Sequence, residues 1–161
     1  MVEKVLHALL FPRPHPTYEP DSDNVIWIPD VTRRKDEKNF RIPTLFLKSN
    51  NAFARYCMLF FHGNAEDLGT SRDFCKNLRT CFQCHVLAPE MPGYGLANRA
   101  IAPSEKAMID YANSCLDFAL HELQWPLDSI LVVGRSIGCV SALALAASFP
   151  NLGGVALISP F

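Results

Sequence analysis

Gly134-Arg135-Ser136-Ile137-Gly138 stands between two segments of opposite habit, and its placement decides the fold. Ahead of it, Ile130-Leu131-Val132-Val133 is apolar and β-branched, as a strand buried on both faces requires. Behind it, Cys139 to Phe149 is small and apolar without Pro or Gly, as a buried helix requires. A strand that turns directly into a helix through G-x-S-x-G forms a nucleophile elbow, which lifts the serine hydroxyl above the sheet. Crowding at that turn excludes bulk on either side of the serine, hence Gly134 and Gly138. The helix N-terminus behind Ser136 favours negative charge developing there. The five letters alone are weak evidence; in this setting they are strong.

Working outward, the pattern before the elbow alternates strands and helices. Val25–Ile28 and Ile42–Leu47 read as two strands, separated by the mixed-charge run 33–39, a solvated hairpin loop. Tyr56–Phe61 is a continuous apolar strand, a helix follows around Ser71–Leu78, and His85–Ala88 is the next strand. Pro89, Pro92, Gly93 and Gly95 then make a turn-rich loop that holds Tyr94. Ser104 can cap a helix whose apolar residues, Met108, Tyr111, Ala112, Cys115, Phe118, Ala119 and Leu123, define one buried face until Pro126 ends it. After the elbow helix, Pro150 and Gly153 break the chain, and Val155–Ile158 forms a sixth buried strand. Alternation of this kind predicts a mostly parallel sheet with helices on both faces. Residues 12–20 carry too many prolines for helix or central strand and read as an extended arm.

An elbow serine needs donors for the oxyanion it creates, and one of them comes from the loop after an earlier strand. Phe61-His62-Gly63-Asn64-Ala65 ends a strand in the right place, and Gly63 lets the backbone approach a substrate oxygen. The N–H groups of Asn64 and Ile137 are the candidate donors. The same His-Gly-Asn is also an ordinary strand-ending turn, and the elbow tips the balance toward the functional reading.

With 161 residues the chain is long enough for one domain with a core of its own. Hydrophobic residues at 49% against 19% charged exclude a disordered chain. A formal charge of −1 gives no electrostatic reason to expect nucleic acid as a partner. No apolar run reaches the length of a bilayer span. Val5–Phe11 is too short for a secretory signal core; it packs on the domain or touches a membrane, and packing is the preferred reading. Six cysteines without such a signal point to free thiols in a reducing compartment, hence a cytoplasmic location with room for peripheral membrane contact. Cys81-Phe82-Gln83-Cys84-His85 spells the c-type haem motif, but it runs into a central strand with no space for a porphyrin. Buried small hydrophobes are the better account of these cysteines.

Taken together, Phe61-His62-Gly63-Asn64-Ala65-Glu66-Asp67-Leu68-Gly69, Pro92-Gly93-Tyr94-Gly95, Pro103-Ser104-Glu105 and the elbow resemble the α/β-hydrolase-fold serine hydrolases. The branch most similar includes the membrane-associated protein depalmitoylases, whose proline-rich lead-in Phe11–Tyr18 also resembles. The resemblance implies an α/β-hydrolase fold, incomplete at the C-terminus, with 1–20 as a proline-rich arm and 21–161 as the N-terminal part of the domain. It implies a serine hydrolase acting on ester or thioester bonds, with acylated protein as the leading substrate. No metal or organic cofactor is expected, since nucleophile and base do the chemistry.

Three features depart from that branch. Arg135 replaces the more usual Gln, either to attract an anionic group or, preferably, as an outward solvated side chain. No cysteine cluster precedes Cys57 to serve as a palmitoylated anchor. The triad acid and base should follow Val155–Ile158, where almost no chain remains. His7, His15, His62, His85 and His121 are not placed by the fold as a base, while Asp67 suits a cap and Asp110, Asp117 and Lys106 suit surfaces. Removing the triad histidine of subtilisin lowers turnover about a millionfold, so this chain is expected to be a poor catalyst. The last strand should form an unpaired apolar edge, an aggregation hazard. The rival reading is a non-catalytic lipid- or protein-binding module derived from a hydrolase.

Overall fold

The computed structural model describes residues 10–32 and 40–160. Six strands form one sheet in the order β1-β2-β4-β3-β5-β6. They are β1 (Val25–Pro29), β2 (Arg41–Leu47), β3 (Cys57–Phe61), β4 (His85–Pro89), β5 (Ile130–Arg135) and β6 (Gly154–Ile158). β2 runs antiparallel to both β1 and β4, and β4, β3, β5 and β6 are mutually parallel. Three helices connect them: α1 (Leu68–Phe82), α2 (Glu105–Asp117) and α3 (Cys139–Ser148).

Strand periodicity sorts the core into two layers. On β3, Cys57, Leu59 and Phe61 join the cluster packed under α2 and α3, while Met58 and Phe60 join the cluster under α1. On β5, Val132 and Val133 divide the same way. Buried on both faces, β3 needs the unbroken apolar run that the sequence supplies. The prediction of helices on both faces of a mostly parallel sheet holds.

Helix ends follow their capping residues. Asp67 caps α1 in a full capping box with Thr70, extending the predicted helix by a turn at its start. Ser104 caps α2 as expected, accepting from the Ala107 N–H. α2 gives way to a π-helical turn over Phe118–Glu122, so regular helix ends well before Pro126. The arm is strapped to the domain, with Thr17 bonded to Asp67 and Tyr18 to Glu90. The charged run 33–39 and the segment before Leu10 lie outside the described residues.

One expectation fails at the far edge. The sixth strand exists at the predicted place, but Val155 and Leu157 remain 51% and 36% exposed. β6 pairs with β5 on one side only, and the shallow apolar groove beside it is lined by Met58, Leu78, Phe82, Leu131, Val133 and Ile158. An apolar run predicts a strand, whereas its burial depends on cover that no described residue provides.

Candidate active site

Every parallel strand delivers its following loop to the same edge of the sheet, and the site is assembled there from β3 and β5. β3 and β5 are paired with Phe61 opposite Gly134, so the two loops leave the sheet side by side. Ser136 follows β5 directly with φ 50°, left-handed backbone in a non-glycine residue. Such a conformation costs about 1–3 kcal/mol and persists only where neighbours enforce it. The neighbours here are backbone. A Cβ on Gly134 would stand 2.6 Å from the Cys139 Cα, and one on Gly138 would collide with the Phe61 carbonyl oxygen. A single 3-10 turn, Ser136–Gly138, carries the chain into α3. Ser136 thus lies half-buried at the bend, ahead of the helix.

The β3 loop reaches the elbow through main chain. The Gly138 Cβ position is also 2.6 Å from the His62 carbonyl oxygen, and the Gly63 Cβ position is 3.6 Å from that of Arg135. Asn64 is held by its side chain: Nδ2 donates to the Leu10 carbonyl at 2.6 Å, and Oδ1 accepts from the Tyr94 hydroxyl at 2.6 Å. Ala65 completes the turn at φ 59°. Ile137 packs with Phe11, Val140, Met91, Tyr94 and Met108 in a small apolar cluster beside the serine. Gly63, Asn64, Gly134, Ser136, Ile137 and Gly138 are therefore all gathered at one place.

Beneath the loop lies a buried polar network centred on Glu90. Its Oε2 accepts from the Tyr18 hydroxyl at 2.9 Å and from the Leu68 N–H at 3.2 Å, and its Oε1 accepts from the Met91 N–H at 3.0 Å. Oε1 also lies 2.9 Å from His62 Nε2, while His62 Nδ1 lies 3.0 Å from the Gly63 carbonyl oxygen. Burial alone would push the imidazole down, but the hydrogen bond and charge of Glu90, with the Gly63 carbonyl, hold it above its ordinary 6.5. Sequence reading passed over Glu90. The available signal was a lone carboxylate between a buried strand and Pro92-Gly93, within an otherwise uncharged stretch.

Arg135 overturns the preferred expectation of an outward, solvated side chain. Its guanidinium pairs with Glu66 and lies 4.6 Å from the Phe74 ring and 5.6 Å from that of Phe60. Glu66 Oε2 also accepts from the Ser71 hydroxyl at 2.8 Å. The arginine thereby ties the elbow to the β3 loop and α1, with its charge already matched. Asp67 takes the capping role; burial would raise its carboxyl, but donors from Thr70 and Thr17 hold it below the usual range.

The other histidines are accounted for. His85 starts β4, at the opposite end of the parallel strands from Ser136, its ring tilted against that of Trp125 at 5.1 Å. His121 follows α2 at that same distant end, paired with Asp117 at 3.5 Å. His15 is an exposed arm residue, and His7 lies outside the described residues. Asp110 pairs on the surface with Lys106 at 2.6 Å. Cys57, Cys75, Cys84, Cys115 and Cys139 are buried and free, whereas Cys81, expected with Cys84 to be a buried hydrophobe, is exposed. Among the described residues no cluster of His, Cys, Asp or Glu could hold a metal ion, and no helix is long and apolar enough to cross a membrane.

A strained serine between two crowded glycines, at the carboxyl end of a parallel strand, is the nucleophile-elbow geometry of the α/β-hydrolase fold. The α/β hydrolase fold family matches residues 56–160, and the chain belongs to that family. It is similar to alpha/beta hydrolase domain-containing protein 17C of Xenopus laevis, 32% identical over 135 residues covering 81% of this chain and 41% of that protein. Similarity to alpha/beta hydrolase domain-containing protein 17B of Homo sapiens is 27% over 179 residues, covering 98% of this chain and 60% of that one. Among solved structures, the thermostable carboxylesterase EstE1 from a metagenomic library aligns with a TM-score of 0.61 at 19% identity, over 97% of this chain and 52% of its own. An α/β serine hydrolase homologue from Coxiella burnetii aligns with a TM-score of 0.68 at 10% identity, over 89% and 65%. The chain spans from 31% to 60% of the length of the curated relatives it matches.

Proposed function

We propose that Ser136 is the nucleophile of a serine hydrolase that cleaves ester or thioester bonds, with S-acylated protein as its substrate class. The observation that carries this reading is the left-handed Ser136 backbone at φ 50° in a turn with no space for side chains at 134 and 138. In the proposed reaction the Ser136 oxygen attacks the acyl carbonyl, and the Asn64 and Ile137 N–H groups hold the resulting oxyanion. The oxyanion collapses to an acyl-serine with release of the thiol or alcohol, and water then frees the acid. Resemblance to the depalmitoylase branch supports a long acyl group, and the apolar cluster around Ile137 offers it a surface. A cytoplasmic site at the periphery of a membrane fits the free thiols and the exposed Leu10 beside the β3 loop.

The proton of Ser136 needs an acceptor, and no described imidazole is free beside it: His62 is committed at both nitrogens, and His85 and His121 lie at the other end of the sheet. With the described residues alone, turnover is therefore expected to be slow, and free imidazole should be able to act as the base. This same observation favours the second reading, an acyl-binding module. Incubation of the chain with a palmitoylated peptide thioester, followed by mass spectrometry, separates them. We expect slow deacylation that imidazole accelerates and Ser136→Ala abolishes. Saturable binding of the peptide with no Ser136-dependent cleavage, with or without imidazole, would establish the binding module instead.

A further inference from the structure

We propose that His62, clamped by buried Glu90, is a positioning residue that sets the Gly63–Asn64 peptide in the orientation required of an oxyanion donor. The inference rests on the reading of Ser136 as nucleophile and adds a residue to that site which contacts no substrate.

Two geometric facts carry it. The Gly63 carbonyl and the Asn64 N–H belong to one peptide unit, and no described peptide bond is cis. In a trans peptide the carbonyl and the N–H point in opposite directions, so fixing one fixes the other. The Gly63 carbonyl is fixed by His62 Nδ1 at 3.0 Å. A carbonyl oxygen only accepts, so Nδ1 carries the proton and donates. On the other side of the ring, Nε2 faces the Glu90 carboxylate at 2.9 Å. Both ring nitrogens thus meet oxygen acceptors, the arrangement that suits an imidazolium. A charged donor on the carbonyl strengthens that bond and polarises the peptide, making the Asn64 N–H a better donor to an anion.

The clamp is itself immobile. Glu90 is held by Tyr18 from the arm, by the Leu68 N–H at the start of α1 and by the Met91 N–H after β4. His62 is 2% exposed, so water cannot replace the contact. Other charges facing the ring leave the cation favoured. Glu66 on the β3 loop adds to the pull of Glu90 and is paired with Arg135 from β5, and the Tyr18 phenol is pushed well above its usual range by burial and by Glu90. A side chain at Gly63 would meet Glu66 Oε1 at 2.8 Å and displace that carboxylate. A histidine whose only task was to fill space would need neither contact.

Nitrogen-15 NMR of the wild-type chain tests the proposal without relying on turnover. We expect both His62 ring nitrogens to be protonated at neutral pH, and the Asn64 amide to shift with the same pH midpoint as the His62 ring, above 6.5. A His62 ring bare at Nδ1, or an Asn64 amide indifferent to the His62 titration, would overturn it. Glu90→Gln gives a second readout. Capture of a fluorophosphonate at Ser136 should slow by up to about a hundredfold in folded protein, the lower end of the loss seen when an oxyanion donor is removed. An unchanged capture rate in folded Glu90→Gln would also overturn the proposal. Failure of the hydrolase reading looks different: the wild-type chain then shows no capture at Ser136, whatever the state of His62.

Discussion

The two sides of β5 differ in kind. Toward β3 and β4, loops are stitched together by buried and part-buried polar bonds: Glu90 to His62, Tyr18 and two main-chain N–H groups, Asp67 to Thr17 and Thr70, Arg135 to Glu66. Toward β6, the sheet ends in apolar side chains with water on them. A buried polar group must find partners, so the stitched side specifies one arrangement of the loops around Ser136. An apolar face needs only cover of the right shape, and at β6 the described residues supply none. The serine lies on the border, with its positioning machinery on one hand and an open surface on the other.

Breaking the stitched side should have the largest effect. Glu90→Ala removes one partner of a buried ion pair and should cost about 3–5 kcal/mol of stability, measured by denaturant unfolding. Gly138→Ala forces a methyl group against the Phe61 and His62 carbonyls; we expect a loss of about 1–3 kcal/mol, and capture at Ser136 should fall with it. Asp67→Ala loses the capping box and the Thr17 strap, costing about 1–2 kcal/mol. The open side should respond oppositely. Leu157→Lys should leave stability within about 0.5 kcal/mol while reducing self-association in sedimentation, because it charges an exposed edge. A large stability loss in that variant would mean that β6 is covered after all.

The stitched side also responds to pH in two opposite directions. His62 has a raised folded pKa, so its contribution is complete below its ordinary value of 6.5 and is lost as pH rises through the folded value. Asp67 has a depressed one, so its contribution is present above 3.8 and is lost as pH falls through its folded value. Unfolding curves across this range should show an alkaline slope that disappears in Glu90→Gln and an acid slope that disappears in Asp67→Asn.

What was legible in the sequence follows the same division. Strands and helices announced themselves through period and capping: β3 as an unbroken apolar run, α2 through Ser104 and its spaced apolar face. The elbow was legible because its two glycines answer a steric demand visible in five letters. Glu90 was not, since a carboxylate earns its meaning from partners 22 to 72 residues away, Leu68 and Tyr18 among them. Arg135 was misjudged for a related reason. No partner for it adjoins it in the sequence, while Phe60, Phe74 and Glu66 come together around it only in three dimensions. The exposure of β6 was foreseen as an edge and misread as a buried strand, because composition reports affinity for cover and says nothing of its presence.

The central claim is that the Ser136 hydroxyl is presented for attack at a sharp turn beside the Gly63–Asn64 peptide. Reaction of the folded chain with a fluorophosphonate in imidazole, followed by peptide mapping of the adduct, tests it most directly. We expect one phosphonylated residue, Ser136, with no adduct in Ser136→Ala and a rate that rises with imidazole. An adduct elsewhere, or an unreactive Ser136 in protein of native fold at every imidazole concentration, would contradict it.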